Sequence, residues 1–242
     1  MNIKIGYKQT FLGVAWAVFT PLVTVLIFTF LNATKILIID TGRIPYAVFA
    51  YCGVLPWTFF STSVVNATRS LVLYSGLISK IYFPREIIPL CAIFSRLADF
   101  IIAFLILAGL MYYYHMPWHI TIIALPLILL LQIMLTIGLS FFLSVGNLFY
   151  RDVGYAVSLV ISLWMFLTPV IYPIKIGSSN PLAIMMAMNP MAPIIDSYRD
   201  LILLGRWPDI TRLAMPVCLS LGLFIAGLSL FHKMEPTFAE NI

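Results

Sequence analysis

Charged residues are scarce in this chain. Asp, Glu, Lys and Arg make up only 10% of its 242 residues, whereas 62% are hydrophobic. A soluble domain of ordinary composition carries roughly 25% charged residues, because water must wet its surface. So few charges exclude a solvated globule of this size and indicate a surface that mostly faces lipid. We therefore predict an all-α integral membrane protein.

The motifs of several enzyme and binding classes are also absent. The chain contains no G-x-x-x-x-G-K-[ST] phosphate loop, no H-E-x-x-H and no C-x-x-C. Its cysteines, Cys52, Cys91 and Cys218, are widely spaced within apolar blocks, which argues against a disulfide framework or a metal site. The net charge of +5 comes from scattered basic residues without a basic stripe, so nucleic acid is not an expected partner. We expect no metal and no cofactor on this chain. If the protein moves a substrate uphill, the energy must come from an ion gradient or another chain.

Long charge-free runs mark the membrane spans. Residues 9–34 and 44–68 are free of charge, and each can hold the roughly 20 residues that cross a hydrocarbon core as a helix. The charge-free run 100–150 is too long for one span and must turn back, most naturally at 115–119, which contains a proline and an interfacial tryptophan. We predict about six transmembrane helices in a single transmembrane domain, 1–242. The approximate spans are 12–35, 46–68, 87–113, 119–148, 153–173 and 213–233.

The loops indicate the orientation in the membrane. An even number of spans places both termini on one side of the membrane. When the long fifth connection is left out, the loops on that side carry more Lys and Arg than those on the other, which favours the cytoplasm for both termini. That connection, 172–211, mixes apolar residues with several prolines and charges. Broken backbone at membrane depth survives only where protein or water covers it, so we expect short re-entrant or interfacial helices there.

One pair of charges lies inside a predicted span. Arg96 and Asp99 are three residues apart, so they share a helix face near the inner half of the third span. Charges inside a membrane usually face protein or water and often mark ion pathways. We favour a structural ion pair, because no other span carries a second acidic residue, and we keep a proton or ion relay as the alternative.

Aromatic residues make up 14% of the chain. For any single one of them we favour the interfacial belt that anchors membrane proteins. The alternative is a stacking surface for sugar rings along a substrate path. The candidates for that path are Trp57, Phe59, Tyr112, Tyr113, Trp164, Phe166 and Tyr172.

Two further patterns concern packing and the outer turn. The small-residue pairs Ser140/Ser144 and Gly222/Ala226 predict close helix approach. His115 and His119 flank the turn at 115–119 and are better explained as interface residues than as ligands or catalytic bases.

The loop after the second span contains a short amphipathic stretch that is too short to cross a membrane. Pro84 then occupies a position suited to the first turn of a new helix. A helix that lies in the membrane interface and a docking element for a cytoplasmic partner both remain open.

Several segments, in order and with matching spacing, resemble the membrane subunit of type-2 ABC exporters, in particular the polysaccharide branch. Together they cover nearly the whole chain. Members usually carry a longer amphipathic helix before the first segment, whereas here only Met1–Gly6 precede it. The segments are Tyr7–Gly13, Gly76–Glu86, Asn147–Val153, Trp164–Pro173, Asn189–Pro190, Tyr198–Arg199 and Gly205.

The resemblance implies an ATP-driven exporter of a lipid-linked, O-antigen-like polysaccharide in the bacterial inner membrane. Two copies of this subunit would form the channel and pair with two copies of a separate ATPase, which would bind ATP and Mg. A cytoplasmic coupling helix at 72–81 and outer gate helices at 181–204 are implied. The implied ATPase-coupling residues are Tyr74, Ser75, Gly76, Leu77, Ile78, Ser79, Lys80, Arg151 and Asp152. The implied outer gate residues are Asn189, Pro190, Tyr198 and Arg199.

Two other function classes compete with this interpretation. An ion-coupled secondary transporter would use Arg96 and Asp99, but the chain shows no internal repeat and few intramembrane carboxylates. A membrane-embedded acyltransferase would use His115 or His119 as a base, but no nucleophile or carboxylate is expected at the same depth.

Overall fold

The computed structural model describes residues 15–35, 39, 41–42, 44–78, 83–173 and 188–239, and these residues form helices and connecting turns without a strand. The α-helices are α1 (Ala15–Ala33), α2 (Tyr46–Leu73), α3 (Ser75–Ile78), α4 (Ile87–Tyr113), α5 (Leu125–Phe149), α6 (Asp152–Leu167), α7 (Met191–Arg199) and α8 (Ile210–Met234). A 3-10 turn, Ile120–Ala124, precedes α5, and another, Glu235–Ala239, follows α8. A π-helical turn, Asp200–Leu204, continues α7. The expected all-α membrane fold is confirmed.

Helix α2 is the centre of the bundle. It packs against α1, α4, α5, α6 and α7, and most of its side chains are buried. Its sequence contains small and hydroxyl-bearing residues between large aromatic ones, which lets neighbouring helices approach on several sides. The other long helices keep one side exposed, where lipid is the natural solvent for an apolar surface.

Four helical segments are long and apolar enough to cross a membrane, namely Tyr46–Leu73, Ile87–Tyr113, Ile120–Phe149 and Ile210–Phe238. Two shorter apolar helical stretches, Leu22–Ala33 and Asp152–Leu167, accompany them. The bounds of the six spans and of the single domain stay a prediction.

Helix α6 ends earlier than the span predicted at 153–173. Its length of about 24 Å at 1.5 Å per residue falls short of the roughly 30 Å of a hydrocarbon core. The helix stops at Leu167 because Pro169 disfavours helical backbone at the preceding residue, and Thr168 is indeed extended, with φ −105° and ψ 135°. The chain then continues as non-helical backbone to Pro173.

Helices α5 and α8 cross at a pair of glycines. A Cβ atom built on Gly138 would lie 2.6 Å from the backbone of Leu223 and Phe224, and one on Gly227 would lie 2.6 Å from the carbonyl oxygen of Gly138. Within the single chain Gly222 and Ala226 do not form such a contact, because both are exposed and a Cβ on Gly222 meets nothing within 4 Å. Helix α8 instead turns its Gly227 face towards α5.

We predict that Gly138→Ala destabilises the protein by about 1–3 kcal/mol, because the added methyl group forces the two helix backbones apart. Gly222→Ala is the matched control. It adds the same methyl group at an open helical position, where alanine is favoured over glycine by roughly 1 kcal/mol. Thermal unfolding of both variants in detergent measures the difference, and equal midpoints would contradict the close crossing.

Candidate functional site

The C-terminal ends of α2 and α5 and the N-terminal end of α6 meet around Arg69. We call this face the inner surface, because the predicted orientation would place it on the cytoplasmic side. The Arg69 guanidinium donates to the carbonyl oxygen of Gly154 (3.2 Å) and to Ser158 Oγ (2.9 Å), and it lies 5.8 Å from the centre of the Tyr155 ring. The Asn147 side chain lies so close to Gly154 that a Cβ there would be 2.6 Å from Asn147 Oδ1. The end of α2, from which α3 continues, therefore lies beside the turn between α5 and α6.

The predicted coupling residues that the structure describes are on this inner surface. Tyr74, Gly76 and Leu77 are exposed. Arg151 and Asp152 are exposed in the α5–α6 turn, with Asp152 in the first turn of α6, where a negative charge is favourable. Ser75 is half-buried at the start of α3. The side chain of Ile78, together with Ser79 and Lys80, lies outside the described residues.

The segment around α7 is held by buried polar contacts. We call it the outer segment, because the predicted orientation would place it on the outer side. Asn189 Nδ2 donates to Thr168 Oγ1 (2.8 Å) and to the carbonyl oxygen of Leu167 (3.3 Å), while Asn189 Oδ1 accepts a hydrogen bond from the backbone N–H of Met191 (3.0 Å). The first turn of α7 is thereby joined to the broken end of α6. Pro190 is buried immediately before α7.

The other end of α7 carries Arg199, which is only 4% exposed. Its guanidinium donates to the carbonyl oxygens of Pro169 (2.7 Å) and Val170 (2.5 Å), and it stacks on the Phe49 ring with 3.9 Å to the ring centre. Asp196 Oδ1 is 3.5 Å away. A buried charge needs such partners, and the carbonyls of the non-helical segment need such donors. Both terminal nitrogens of Arg199 are thereby satisfied, whereas its buried Nε has no hydrogen-bond partner.

Helix α2 leaves room for this contact at Gly53. A Cβ on Gly53 would be 2.5 Å from Arg199 Nη2 and closer still to the carbonyl oxygen of Val170. Tyr46 on the same helix donates its hydroxyl to the carbonyl oxygen of Ile171 (3.1 Å). The non-helical segment therefore receives hydrogen bonds from both α2 and α7.

Tyr198 connects α7 to the middle of the bundle. Its hydroxyl donates to Gln132 Oε1 (2.8 Å), and Gln132 Nε2 donates to the carbonyl oxygen of Pro56 (2.7 Å). Both side chains are fully buried. A buried side-chain amide needs partners for both its nitrogen and its oxygen, and these two contacts supply one to each.

The aromatic candidates for a substrate path differ in how far they are buried. Trp57 and Phe59 are buried in the core, where Trp57, Phe60 and Trp164 form one cluster with ring centres 5.6–6.4 Å apart. Tyr112 and Tyr113 are exposed at the outer end of α4, and Phe166 is exposed on α6. Tyr172 is half-buried and donates its hydroxyl to the carbonyl oxygen of Phe166 (2.8 Å). The candidates do not converge on one surface of the single chain.

The charged pair on α4 is a direct contact. Arg96 Nη1 and Asp99 Oδ2 are 2.9 Å apart, and both side chains are partly buried. This geometry is what a structural pair requires.

Sequence reasoning missed Gly53, Gln132 and Phe49. For two of them the sequence contains a feature that could have pointed to the contact. An isolated glycine inside a helical run weakens the helix by about 1 kcal/mol relative to alanine and so points to a packing reason, as at Gly53. A buried amide such as Gln132 in a charge-free span points to a specific hydrogen-bond partner. Phe49 had no distinguishing signal among so many aromatics.

Comparison with known proteins gives a consistent result. The family model described as ABC-2 type transporter matches residues 2–203. The O-antigen export system permease protein RfbA of Myxococcus xanthus is 30% identical over 245 residues, covering 100% of this chain and 92% of that protein. Two proteins of the same name from Klebsiella pneumoniae are each 30% identical, over 241 and 246 residues, covering 99% of this chain and 91% of each relative.

We predict that Arg199→Met destabilises the protein by about 3–5 kcal/mol, because it leaves Asp196 and the carbonyls of Pro169 and Val170 without their donor. Arg212→Met is the matched control, since Arg212 forms an exposed ion pair with Asp209 (3.4 Å) that is worth at most about 1 kcal/mol. Unfolding midpoints of both variants in detergent provide the test. A midpoint for Arg199→Met close to that of Arg212→Met would show that the buried contacts contribute little.

Proposed function

Since this chain belongs to the ABC-2 type transporter family, we propose that it is the membrane-spanning permease subunit of an ATP-driven exporter of a lipid-linked, O-antigen-like polysaccharide. The observation that carries this proposal is the similarity, over nearly the whole chain, to curated proteins named as O-antigen export permeases. That similarity includes the inner loop, the α5–α6 turn and the outer segment, all of which an exporter needs. On this proposal the chain is a transport subunit, and ATP and Mg are bound by a separate ATPase.

The functional unit is a dimer of this chain with two ATPase subunits. The exposed inner surface formed by α3 and the α5–α6 turn supports this arrangement, because it offers the partner a patch of mixed apolar and charged side chains. Leu77, Arg151 and Asp152 all lie on that surface. Both termini are in the cytoplasm and the membrane is the bacterial inner membrane.

The transported glycan passes between the two copies and leaves at the outer segment around α7. Short helices held by buried contacts suit a mouth that must open for a chain of sugars and otherwise stay sealed. Exposed aromatics such as Phe166 offer flat apolar faces on which sugar rings can stack. The lipid anchor of the glycan remains among the lipid-facing helices.

The ion-coupled secondary transporter is the second candidate. It requires Arg96 and Asp99 to exchange a proton or ion during transport. Their direct contact of 2.9 Å favours a structural role, because each charge already has its partner.

We predict that the purified protein brings an ATPase with it from gently solubilised native membranes, and that Leu77→Glu abolishes this association. Leu77 is 44% exposed, so a charge there does not disturb the core but does disturb an apolar contact with a partner. The measurement is a pull-down of the tagged chain followed by an ATPase assay on the eluate.

Leu204→Glu is the matched control for that experiment. Leu204 has nearly the same exposure, 43%, but lies in the outer segment, so the ATPase should co-purify as before. A chain that purifies without any ATPase under these conditions would exclude the exporter proposal and favour the secondary transporter. An ATPase retained by Leu77→Glu would exclude α3 as the docking element.

We predict that replacing Arg96 and Asp99 together by leucine leaves export intact, because removing both charges also removes the penalty for burying them. Arg96→Leu alone should lower the protein's stability, since it leaves Asp99 without the contact. Export and unfolding midpoints of the single and double variants provide the comparison. A double variant that is folded but inactive would establish the relay.

A further inference from the structure

The C-terminal end of α8 contacts the residues that leave the inner loop. We call this set the C-terminal clamp and define it by Arg85, Glu86, His232, Glu235 and Phe238. Arg85 and Glu86 directly precede α4, whereas His232 belongs to the last turn of α8 and Glu235 and Phe238 to the following 3-10 turn. Elements far apart in sequence are thus held together at the inner surface.

The clamp is made of directional contacts. Arg85 Nη1 donates to the carbonyl oxygen of Glu235 (2.5 Å), and the backbone N–H of Arg85 donates to Glu235 Oε1 (3.4 Å). The Arg85 guanidinium also lies 5.8 Å from the centre of the Phe238 ring. Beside these contacts, His232 Nε2 contacts Glu86 Oε1. Together they determine the position of the first turn of α4 relative to α8.

An aromatic stack anchors the clamp in the bundle. Phe238 and Phe231 are fully buried, with ring centres 5.2 Å apart in an edge-to-face arrangement. Phe231 in turn lies 5.0 Å from Phe141 of α5. Edge-to-face aromatic pairs are more favourable than face-to-face ones. Through these three rings the C-terminal turn is in continuous contact with α5.

Helix α5 leads to the other part of the inner surface. It is joined to α8 at the close crossing of Gly138 and Gly227, and it ends at Phe149, directly before the turn that holds Arg151 and Asp152. The clamp therefore connects the loop after α3 with the helix that carries the α5–α6 turn.

We propose that the C-terminal clamp is part of the energy-coupling machinery, with Arg85 and Phe238 as positioning residues. The proposal rests on the proposed function, in which an ATPase moves α3. Because α3 and α4 are consecutive in the chain, a displacement of α3 also acts on the start of α4. The start of α4 rests on a single turn, in which the N–H groups of Ile87 and Ile88 donate to the carbonyl oxygens of Pro84 and Arg85 at 3.2 Å. Without the clamp this turn would yield and absorb the displacement. The clamp prevents this and passes the displacement to α8 and α5.

The test uses Arg85→Ala and Phe238→Ala in the full chain, co-purified with its ATPase from the native cells. Two quantities are measured, ATP hydrolysis by the purified complex and the amount of the cells' own polysaccharide that reaches the surface per complex. We expect both variants to retain ATP hydrolysis while export per ATP hydrolysed falls roughly tenfold, the size of a typical coupling between sites. Arg85→Lys keeps the charge and a donor, so it should recover part of the loss.

Two control variants separate positioning from folding. Leu107→Ala removes a fully buried side chain of α4 away from the clamp, and Arg212→Ala removes an exposed arginine at the outer end of α8. Leu107→Ala should lower the amount of complex without changing export per ATP, and Arg212→Ala should change neither.

Clamp variants that keep the parent ratio of export to hydrolysis would overturn the proposal. So would variants whose only change is a lower yield of complex, as for Leu107→Ala. A parent chain that carries no ATPase and exports independently of ATP would overturn the proposed function, and the clamp's coupling role with it. The parent chain thus distinguishes the two failures.

Discussion

The rest of this structure depends on hydrogen bonds to the backbone carbonyl groups at and beyond the end of α6. Inside a membrane, a helix satisfies its own backbone, but a helix that stops early leaves carbonyls that water cannot reach. Here Pro169 ends α6. Asn189 donates to the backbone carbonyl of Leu167, and Tyr46 donates to that of Ile171. Arg199 donates to the carbonyls of Pro169 and Val170. Without those donors, burying the non-helical segment in an apolar environment would be strongly unfavourable.

This constraint organises the elements around it. Arg199 can reach the carbonyls only because α2 has a glycine, Gly53, where a side chain would intrude. Helix α7 is held at its start by Asn189 and in its last turn by Tyr198, which contacts Gln132, and by Arg199. A short outer helix held by a few buried polar contacts can act as a unit, since breaking one contact leaves an unsatisfied group that weakens the others.

The contacts at the inner surface are of a different kind. Its contacts are made by Arg69 and Arg85, which bind backbone carbonyls of neighbouring elements near the ends of helices. Glu235 directly follows α8, and the last carbonyls of a helix lack intrahelical donors, so it is a natural acceptor for Arg85. Arg69 instead adds a donor from α2 to the Gly154 carbonyl in the first turn of α6. Helix α2 takes part in both regions, with Gly53 at the outer contact and Arg69 at the inner one.

The sequence by itself determined the membrane environment, the helical class, the interruption of the outer segment by prolines and the family, through composition, charge-free runs and ordered motifs. It also placed Asn189, Tyr198 and Arg199 among the residues of interest. Only the tertiary structure decided that Arg199 binds the end of α6, that Gly138 and Gly227 rather than Gly222 form the close crossing, and that Arg85 meets Glu235. The physical reason is that nearly every face of these helices is apolar. Hydrophobic periodicity therefore does not reveal which face meets a neighbour, and each of these contacts joins residues far apart in the chain that only helix packing brings together.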